Sequence, residues 1–475
     1  MQEQRDYDVI VIGGGSGGHA AAKRASKSGA RTALIEGAKD MGGLCILRGC
    51  MPTKTNIETA NRMRAIREAK KFGIEVGAPK LLPDVLKERR ERLVDGFQFY
   101  RVKGMEGADY TLLRGVGTFT GPHSVRFQND ETDVELTAGA FVISTGSDER
   151  LPDIDGLPDV PYWTSDEAID LPYVPKHIII YGSGAIGMET CDFFSGLGLE
   201  VTLVTHSKRL LNKTEPEISD AILKQVESRG VKVYMNGEFR TVSHDGEIFT
   251  LNLEFDDERE DIVLKGDAFL CAIGRVPRVK ALALEKLDPV YAEERLEIDK
   301  FARTRLPHVF AAGDCASPLA LVHLAVMQGD AAGQNAAAVA AGQPGNAQKT
   351  WPDKLPLLGV FTDPETVHVG TTTEEAEKEG IEVVSAICTY DDMGKGEIVG
   401  EEYGLVKLLA DRSTGKLIAA CGYGPHVIDY CHSMVLAIHQ GLTVEQILEI
   451  PWYHPTLGEI WSYAAEDLLE ELESD

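Results

Sequence analysis

Two cysteines five residues apart, Cys45 and Cys50, are the residues of this chain best suited to redox chemistry. They lie in Met41-Gly-Gly-Leu-Cys-Ile-Leu-Arg-Gly-Cys-Met-Pro-Thr-Lys-Thr55, between a glycine pair and Pro52 and Lys54. Two such thiols can bridge, exchange with an outside thiol through a mixed disulfide, or pack as unrelated small hydrophobes. Residues five apart on an ideal helix are separated by about 8–9 Å at Cα, whereas a disulfide needs about 4.4–6.8 Å. A bridge therefore requires a local bend, for which Gly49 and Pro52 are suited. Far along the chain, Trp452-Tyr-His-Pro-Thr-Leu-Gly-Glu459 holds His454 and Glu459, a pair suited to a base oriented by a carboxylate.

The rest of the composition narrows the class. The chain has 475 residues, enough for about three domains. Its 48 Lys and Arg against 75 Asp and Glu give a net charge of −27, which excludes the basic footprint of a nucleic-acid binder. No apolar run approaches the ~18 residues of a membrane span, and the N-terminus lacks the pattern of a signal peptide. Eight cysteines are too sparse for a disulfide framework, so a reducing, cytoplasmic home is expected. No second Cys/His pair at zinc spacing accompanies the first, so no metal is expected.

The elements that must position these groups begin at the N-terminus. Val9-Ile-Val-Ile12 reads as a buried strand, Gly13-Gly-Gly15-Ser16-Gly-Gly18 as a turn, the Ala-rich run after His19 as a helix, and Ala33–Glu36 as a second strand. Gly13, Gly15 and Gly18 give the Gly-x-Gly-x-x-Gly spacing of a dinucleotide site, with the helix N-terminus facing the pyrophosphate. Glu36, 21 residues after Gly15, can accept from a ribose diol. A shift of 169 residues lays this unit onto a second one. Gly182, Gly184 and Gly187 fall on the three glycines, and Thr205 falls on Glu36. The second site thus keeps the pyrophosphate turn and lacks the ribose acid. His206, Lys208 and Arg209 follow, and basic residues in place of a carboxylate point to NADP, whereas the third glycine, Gly187, where NADP sites often have alanine, points to NAD; the balance leans slightly to NADP.

Three further strand ends can meet a dinucleotide: Thr145-Gly146, Gly274-Arg275 and Gly313-Asp314. Gly43, Gly117 and Val322 complete the expected contacts. Residues 56–103 read as helical and 110–143 as short strands, and the proline-rich stretch 151–175 reads as a linker. An Ala-rich helix is expected over about 319–341. Residues 357–475 read as a separate α+β domain ending in an acidic tail. The expected organisation is an α/β fold with two Rossmann-like domains and a C-terminal α+β dimerisation domain. The boundaries are 1–150 with 275–345, then 151–274, then 346–475.

In this order the pieces resemble the flavin-dependent pyridine nucleotide–disulfide oxidoreductases, the group of dihydrolipoamide dehydrogenase, glutathione reductase and mercuric reductase. The resemblance runs over essentially the whole chain. It implies FAD in the first unit and NAD or NADP in the second, with Lys54 paired to Glu189 beside the flavin. It implies that Cys45 and Cys50 form a redox-active disulfide. Cys50 is then the flavin-proximal thiol, able to form a charge-transfer thiolate, and Cys45 the thiol that exchanges with substrate. It makes His454 the acid–base, oriented by Glu459 and contributed by the other subunit of a homodimer.

The His-Pro-Thr-Leu tail is closer to dihydrolipoamide dehydrogenase, whereas Leu-Arg-Gly-Cys with Arg48 resembles some glutathione reductases. The ending Leu-Glu-Ser-Asp lacks the cysteine pair expected of mercuric reductase. Leu44, Leu47, Trp452 and Tyr453 depart from the usual pattern and suggest a more apolar substrate channel. The expected partner is a small disulfide or a lipoyl-bearing protein. The alternatives are a glutathione reductase-like or other low-molecular-weight disulfide reductase, and a flavin redox sensor without turnover.

Overall fold

Val9, Ile10, Val11 and Ile12 are apolar on both faces of their strand, and all four are buried. A strand of that kind needs cover on both sides, which a parallel sheet flanked by helices provides. In the computed structural model, which describes residues 5–288, 296–317, 319–353 and 355–474, strand Tyr7–Ile12 lies between Thr32–Glu36 and Asp133–Ile143, parallel to both. Thr111–Arg114 extends the sheet beyond Thr32–Glu36, and Val309–Ala311 pairs with Asp133–Ile143. The last strand is 11 residues long and serves twice. Its end joins the parallel sheet, and its start pairs antiparallel with Ser124–Gln128, which in turn pairs with Val116–Gly121.

Helix Ser16–Lys27 covers this sheet together with helix Val322–Ala340. The two touch backbone to backbone: a Cβ on Gly329 would lie 2.2 Å from the Gly17 carbonyl oxygen, and one on Gly333 2.2 Å from that of Ala21. This contact explains the Ala- and Gly-rich composition of both helices.

The same logic recurs after residue 176. Strands Lys232–Met235, Glu200–Thr205, His177–Tyr181 and Ala268–Cys271 form a parallel sheet in that order. Helix Ala185–Leu197 follows the second glycine turn, and helix Pro216–Ser228 follows Glu200–Thr205. A three-stranded antiparallel sheet spans Gly237–Gly266, and a five-stranded antiparallel sheet carries the C-terminal region in the order Leu357–Val360, Glu365–Gly370, Leu417–Gly424, Leu405–Asp411, Val383–Thr389. The architecture is therefore α/β with two dinucleotide-type sheets and a C-terminal α+β region. Two compact units emerge: Met1–Pro52 with Glu88–Arg150 and Arg275–Asp353, and Thr53–Lys87 with Leu151–Gly274 and Lys354–Asp475.

Three local expectations change. The proline-rich segment holds a helix, Ser165–Asp170, because Thr164 and Glu167 close a capping box at its start. The apolar spacing of residues 428–440 reads as one helix, and the structure splits it into Val427–Tyr430 and His432–Gln440. The acidic tail is helix Ile460–Glu473, which buries Ile460, Trp461, Ala464, Ala465 and Leu468. That spacing puts five apolar residues on one face and the acids on the other.

Candidate active site

The first glycine turn is built from contacts that tolerate no side chain. Gly13 has φ +99°, and its Cβ would lie 2.3 Å from the Ser144 carbonyl oxygen. A Cβ on Gly18 would lie 1.7 Å from the Gly13 carbonyl oxygen. A Cβ on Gly15 would meet nothing within 4 Å, and Gly15 is the N-cap of helix Ser16–Lys27. Open space thus stands before the first N–H groups of that helix, including that of Ser16. Glu36 is buried, with Gly14 N donating to one carboxylate oxygen and Ala38 N to the other, each at 2.7 Å. Each oxygen keeps capacity for another donor.

Other expected contacts lie in the same unit. Gly43 has φ +80°, and its Cβ would sit 2.9 Å from Gly15 Cα, so the approach to Cys45 is planted on the glycine turn. Gly117 packs on Ile35, where a Cβ would approach Cδ1 to 3.1 Å. The Thr145 hydroxyl is buried without a hydrogen-bond partner among the described residues. Gly146 has φ +76°, and its carbonyl accepts from Arg278 N. Asp314 accepts from the Ser147 hydroxyl at 2.6 Å, and Arg275 donates to that same hydroxyl oxygen at 2.8 Å. Val322 is half-buried in the first turn of its helix.

The cysteine stretch bends at Gly49, whereas Pro52, the other residue suited to a bend, sits in the first turn of the helix that follows. Cys45 lies in helix Leu44–Arg48, and Cys50 opens helix Cys50–Glu68. Gly49 interrupts them with φ −140° and ψ −121°. Its Cβ would lie 3.1 Å from Cys45 Cα, so the chain folds back on Cys45 instead of running straight on. Both thiols are half-buried, and the other six cysteines are buried. Burial pushes Cys191 and Cys271 up to about 12 and Cys421 well above its usual range. Those thiols stay protonated and inert, which leaves Cys45 and Cys50 as the accessible pair.

In the other unit the second turn repeats the first. Gly182 has φ +118°, a Cβ on Gly187 would lie 1.8 Å from the Gly182 carbonyl oxygen, and a Cβ on Gly184 would meet nothing within 4 Å. Thr205 is buried, and its hydroxyl oxygen accepts from the Ser183 hydroxyl at 2.9 Å and from Ser207 N at 3.2 Å. The strand end is thereby tied to the turn. His206 and Lys208 are exposed, Arg209 is half-buried, and Gly274 has φ +127° with open space around it.

Lys54 Nζ donates to both Glu189 oxygens at 2.7 Å and lies 4.6 Å from the centre of the Phe361 ring. Glu189, buried two residues past Gly187, also accepts from Phe361 N at 3.1 Å. His454 Nδ1 lies 2.9 Å from Glu459 Oε1, and Thr456 N donates to Glu459 Oε2 at 2.8 Å. The Glu459 side chain is 8% exposed and that of His454 73%. A buried carboxylate thus orients an accessible imidazole and leaves Nε2 for proton transfer. Of the two aromatics before it, Trp452 packs on the C-terminal core and donates to the Ile447 carbonyl, and only Tyr453 is exposed.

Two buried charge clusters escaped the sequence reading. Arg64 pairs with Asp192 at 3.0 Å and with Asp363, and Arg229 reaches the same Asp192 oxygen at 3.1 Å. Lys407 pairs with Glu215 and Glu217. The available signal was a lone charge inside an apolar run: Asp192 among the buried residues of its helix, and Lys407 within Leu405-Val-Lys-Leu-Leu409.

Known proteins resemble this chain in sequence and in fold. The pyridine nucleotide-disulphide oxidoreductase family matches residues 7–329, and the dimerisation domain of that family matches residues 358–465. Dihydrolipoyl dehydrogenase from Bacillus subtilis is 29% identical over 472 residues, with 97% of each chain covered. A mercuric reductase from Bacillus cereus is 29% identical, covering 96% of this chain and 70% of that one. The HOCl-induced flavoprotein disulfide reductase RclA from Escherichia coli has the same fold, with a TM-score of 0.80 and 22% identity over 97% of this chain and 99% of that one. The chain belongs to the pyridine nucleotide-disulphide oxidoreductases. It is thus an FAD-dependent oxidoreductase of the kind that takes electrons from NAD(P)H, and it carries the family's dimerisation domain. The residues present fit FAD. The turn leaves open space beside Gly15 at the N-terminus of helix Ser16–Lys27, Glu36 retains acceptor capacity, and the Thr145 hydroxyl lacks a partner among the described residues. Among the described residues no helix is long and apolar enough to cross a membrane.

Proposed function

We propose that this protein is a cytoplasmic homodimeric reductase of small disulfides, dihydrolipoamide dehydrogenase-like, working through a Cys45–Cys50 disulfide. The observation that carries the reading is the buried Glu459 carboxylate holding His454 Nδ1 at 2.9 Å. The accessible cysteine pair, flanking a glycine bend, supports it. In this reading residues 1–150 with 275–345 hold FAD, 151–274 hold NAD(P), and 346–475 form the dimer. Gly13, Gly15, Ser16, Gly18, Glu36, Gly43, Gly117, Thr145, Gly146, Asp314 and Val322 serve the first nucleotide. Gly182, Gly184, Gly187, Thr205, His206 and Gly274 serve the second. The basic run after Thr205 favours NADP.

FAD, when bound, supplies the two-electron step between NAD(P)H and sulfur. The protein supplies the sulfur chemistry. Two electrons open the Cys45–Cys50 bridge to a dithiol. The Cys45 thiolate attacks a substrate disulfide, forming a mixed disulfide and expelling one substrate thiolate, which takes a proton from His454. Cys50 then attacks the Cys45 sulfur, restores the bridge and releases the second substrate thiol. The reverse sequence oxidises a dithiol. Lys54, held by Glu189, is the cation beside the flavin.

The test is a rate comparison with lipoamide, oxidised glutathione, other small disulfides and mercuric ion, each with NADH and NADPH. Brisk disulfide reduction that Cys45→Ser abolishes is expected. Turnover of mercuric ion alone, or of no disulfide at all, would overturn the reading.

A further inference from the structure

The loop 206–214 leaves strand Glu200–Thr205 at the position where the first nucleotide unit has its ribose acid, and it carries His206, Lys208 and Arg209. It has no regular secondary structure of its own, so something else must hold it. At its start the Thr205 hydroxyl is tied to Ser183 and Ser207. In its middle Leu211 adopts φ +44°, an uncommon conformation for a branched residue, and its N–H donates to the Ser183 carbonyl at 3.1 Å. The Leu210 carbonyl accepts from the Ser219 hydroxyl at 2.7 Å.

The loop ends at Glu215, the N-cap of helix Pro216–Ser228, and there the anchor comes from the C-terminal region. Glu215 is 1% exposed. One carboxylate oxygen accepts from Thr373 N at 2.9 Å, and the other accepts from the Thr373 hydroxyl and from Lys407 Nζ, both at 2.8 Å. Lys407 is itself buried in strand Leu405–Asp411 and also meets both oxygens of Glu217 at 2.9 Å. A buried pair of this kind is lost only at the expense of an uncompensated charge, which makes it a stiff tether.

We propose that Glu215 and Lys407 are positioning residues for dinucleotide recognition, latching the loop so that His206, Lys208 and Arg209 meet a phosphate on the adenosine ribose. The inference rests on reading the Gly182–Gly187 turn as the NAD(P) site. Neither residue touches the nucleotide. Their effect passes through the loop, and the C-terminal region thereby sets cofactor affinity.

The test uses the full-length FAD-loaded enzyme and three variants: Lys407→Met, Lys407→Arg and Thr373→Val. Calorimetry measures binding of 2′-phospho-AMP and of AMP, and steady-state assays give KM for NADPH, NADH and the disulfide. Lys407→Met is expected to raise the KM for NADPH by about tenfold to a hundredfold, the scale of an ångström-level misplacement. It should weaken 2′-phospho-AMP more than AMP and leave the KM for the disulfide unchanged. Lys407→Arg should recover part of the loss. Equal shifts in all three KM values, or none, would overturn the proposal. Thr373→Val removes one hydroxyl bond to Glu215 and keeps both charges, so it reads the same split if Lys407→Met does not fold. An unchanged ratio of 2′-phospho-AMP to AMP binding in Thr373→Val would likewise overturn it. If the wild-type enzyme bound neither nucleotide, the reading of the turn would fail instead.

Discussion

Replacing Gly187 by alanine would place a Cβ 1.8 Å from the Gly182 carbonyl oxygen, where ordinary contact begins near 3.4 Å. The two atoms must part by the difference, about 1.6 Å. Gly182 cannot move freely. Its φ of +118° suits only glycine, and its N–H donates to the Val204 carbonyl at 2.8 Å. Helix Ala185–Leu197 must therefore shift, carrying Glu189 away from Lys54. Overpacking of this kind costs about 1–3 kcal/mol, which corresponds to roughly 5- to 150-fold in nucleotide affinity. Gly184→Ala is the matched control. Its φ of −75° and ψ of −175° suit any residue, and the new methyl meets no protein atom within 4 Å. That methyl enters only the space before the helix N-terminus. The expected result is a lower Tm and a higher dinucleotide KM for Gly187→Ala, against an unchanged Tm and a higher KM for Gly184→Ala. Bound FAD, read from visible absorbance, should be unchanged in both. A wild-type KM for NADH and NADPH in Gly184→Ala would refute the assignment of this turn to the pyrophosphate.

The first nucleotide site gives a parallel prediction. Glu36→Gln sets an amide N–H₂ against one of the two backbone donors that the carboxylate now accepts. FAD affinity should fall by about 1–3 kcal/mol, measured by flavin retention on dilution, and full retention would count against the site. At the far end of the chain, His454→Ala should slow disulfide turnover by about 10²–10⁴-fold, the usual worth of a general acid–base, while hydride transfer to small dyes stays intact. Equal loss of both rates would make His454 structural. Stability should also depend on pH through His19. Burial, with Arg101 and Lys23 nearby, pushes its imidazole down to about 4, below the ~6.5 of the unfolded chain. The unfolded state therefore binds the extra proton first, and stability should fall as pH drops from about 6.5 to about 4. His19→Gln should flatten the Tm profile in that window, and an unaltered slope would remove His19 as the cause.

Local requirements of the backbone were legible in the chain itself. Both glycine turns, Glu36 at the end of its strand, and the bend at Gly49 follow from residue type and spacing, because each answers a steric demand within a few residues. The alternation of strands and helices followed for the same reason. Other features depended on partners far away in sequence. Glu215 and Lys407 are 192 positions apart, and Arg64 lies 128 positions before Asp192. No periodicity states such a pairing. Each charge looked like ordinary surface until burial removed water and left only the opposite charge to satisfy it. That the Trp452 indole donates to the Ile447 carbonyl was likewise visible only in the fold. Thr205 aligns with Glu36 in the chain, and only the fold brings the Ser183 hydroxyl and Ser207 N to its hydroxyl oxygen. The acidic tail became a helix because Trp461 and Leu468 found a core to cover. Residue types and spacing thus determined the two glycine turns and the bend between the cysteines, since those constraints act through the local chain. Only the tertiary structure decided which charges hold the nucleotide loop in place, since that depends on which groups lose water together.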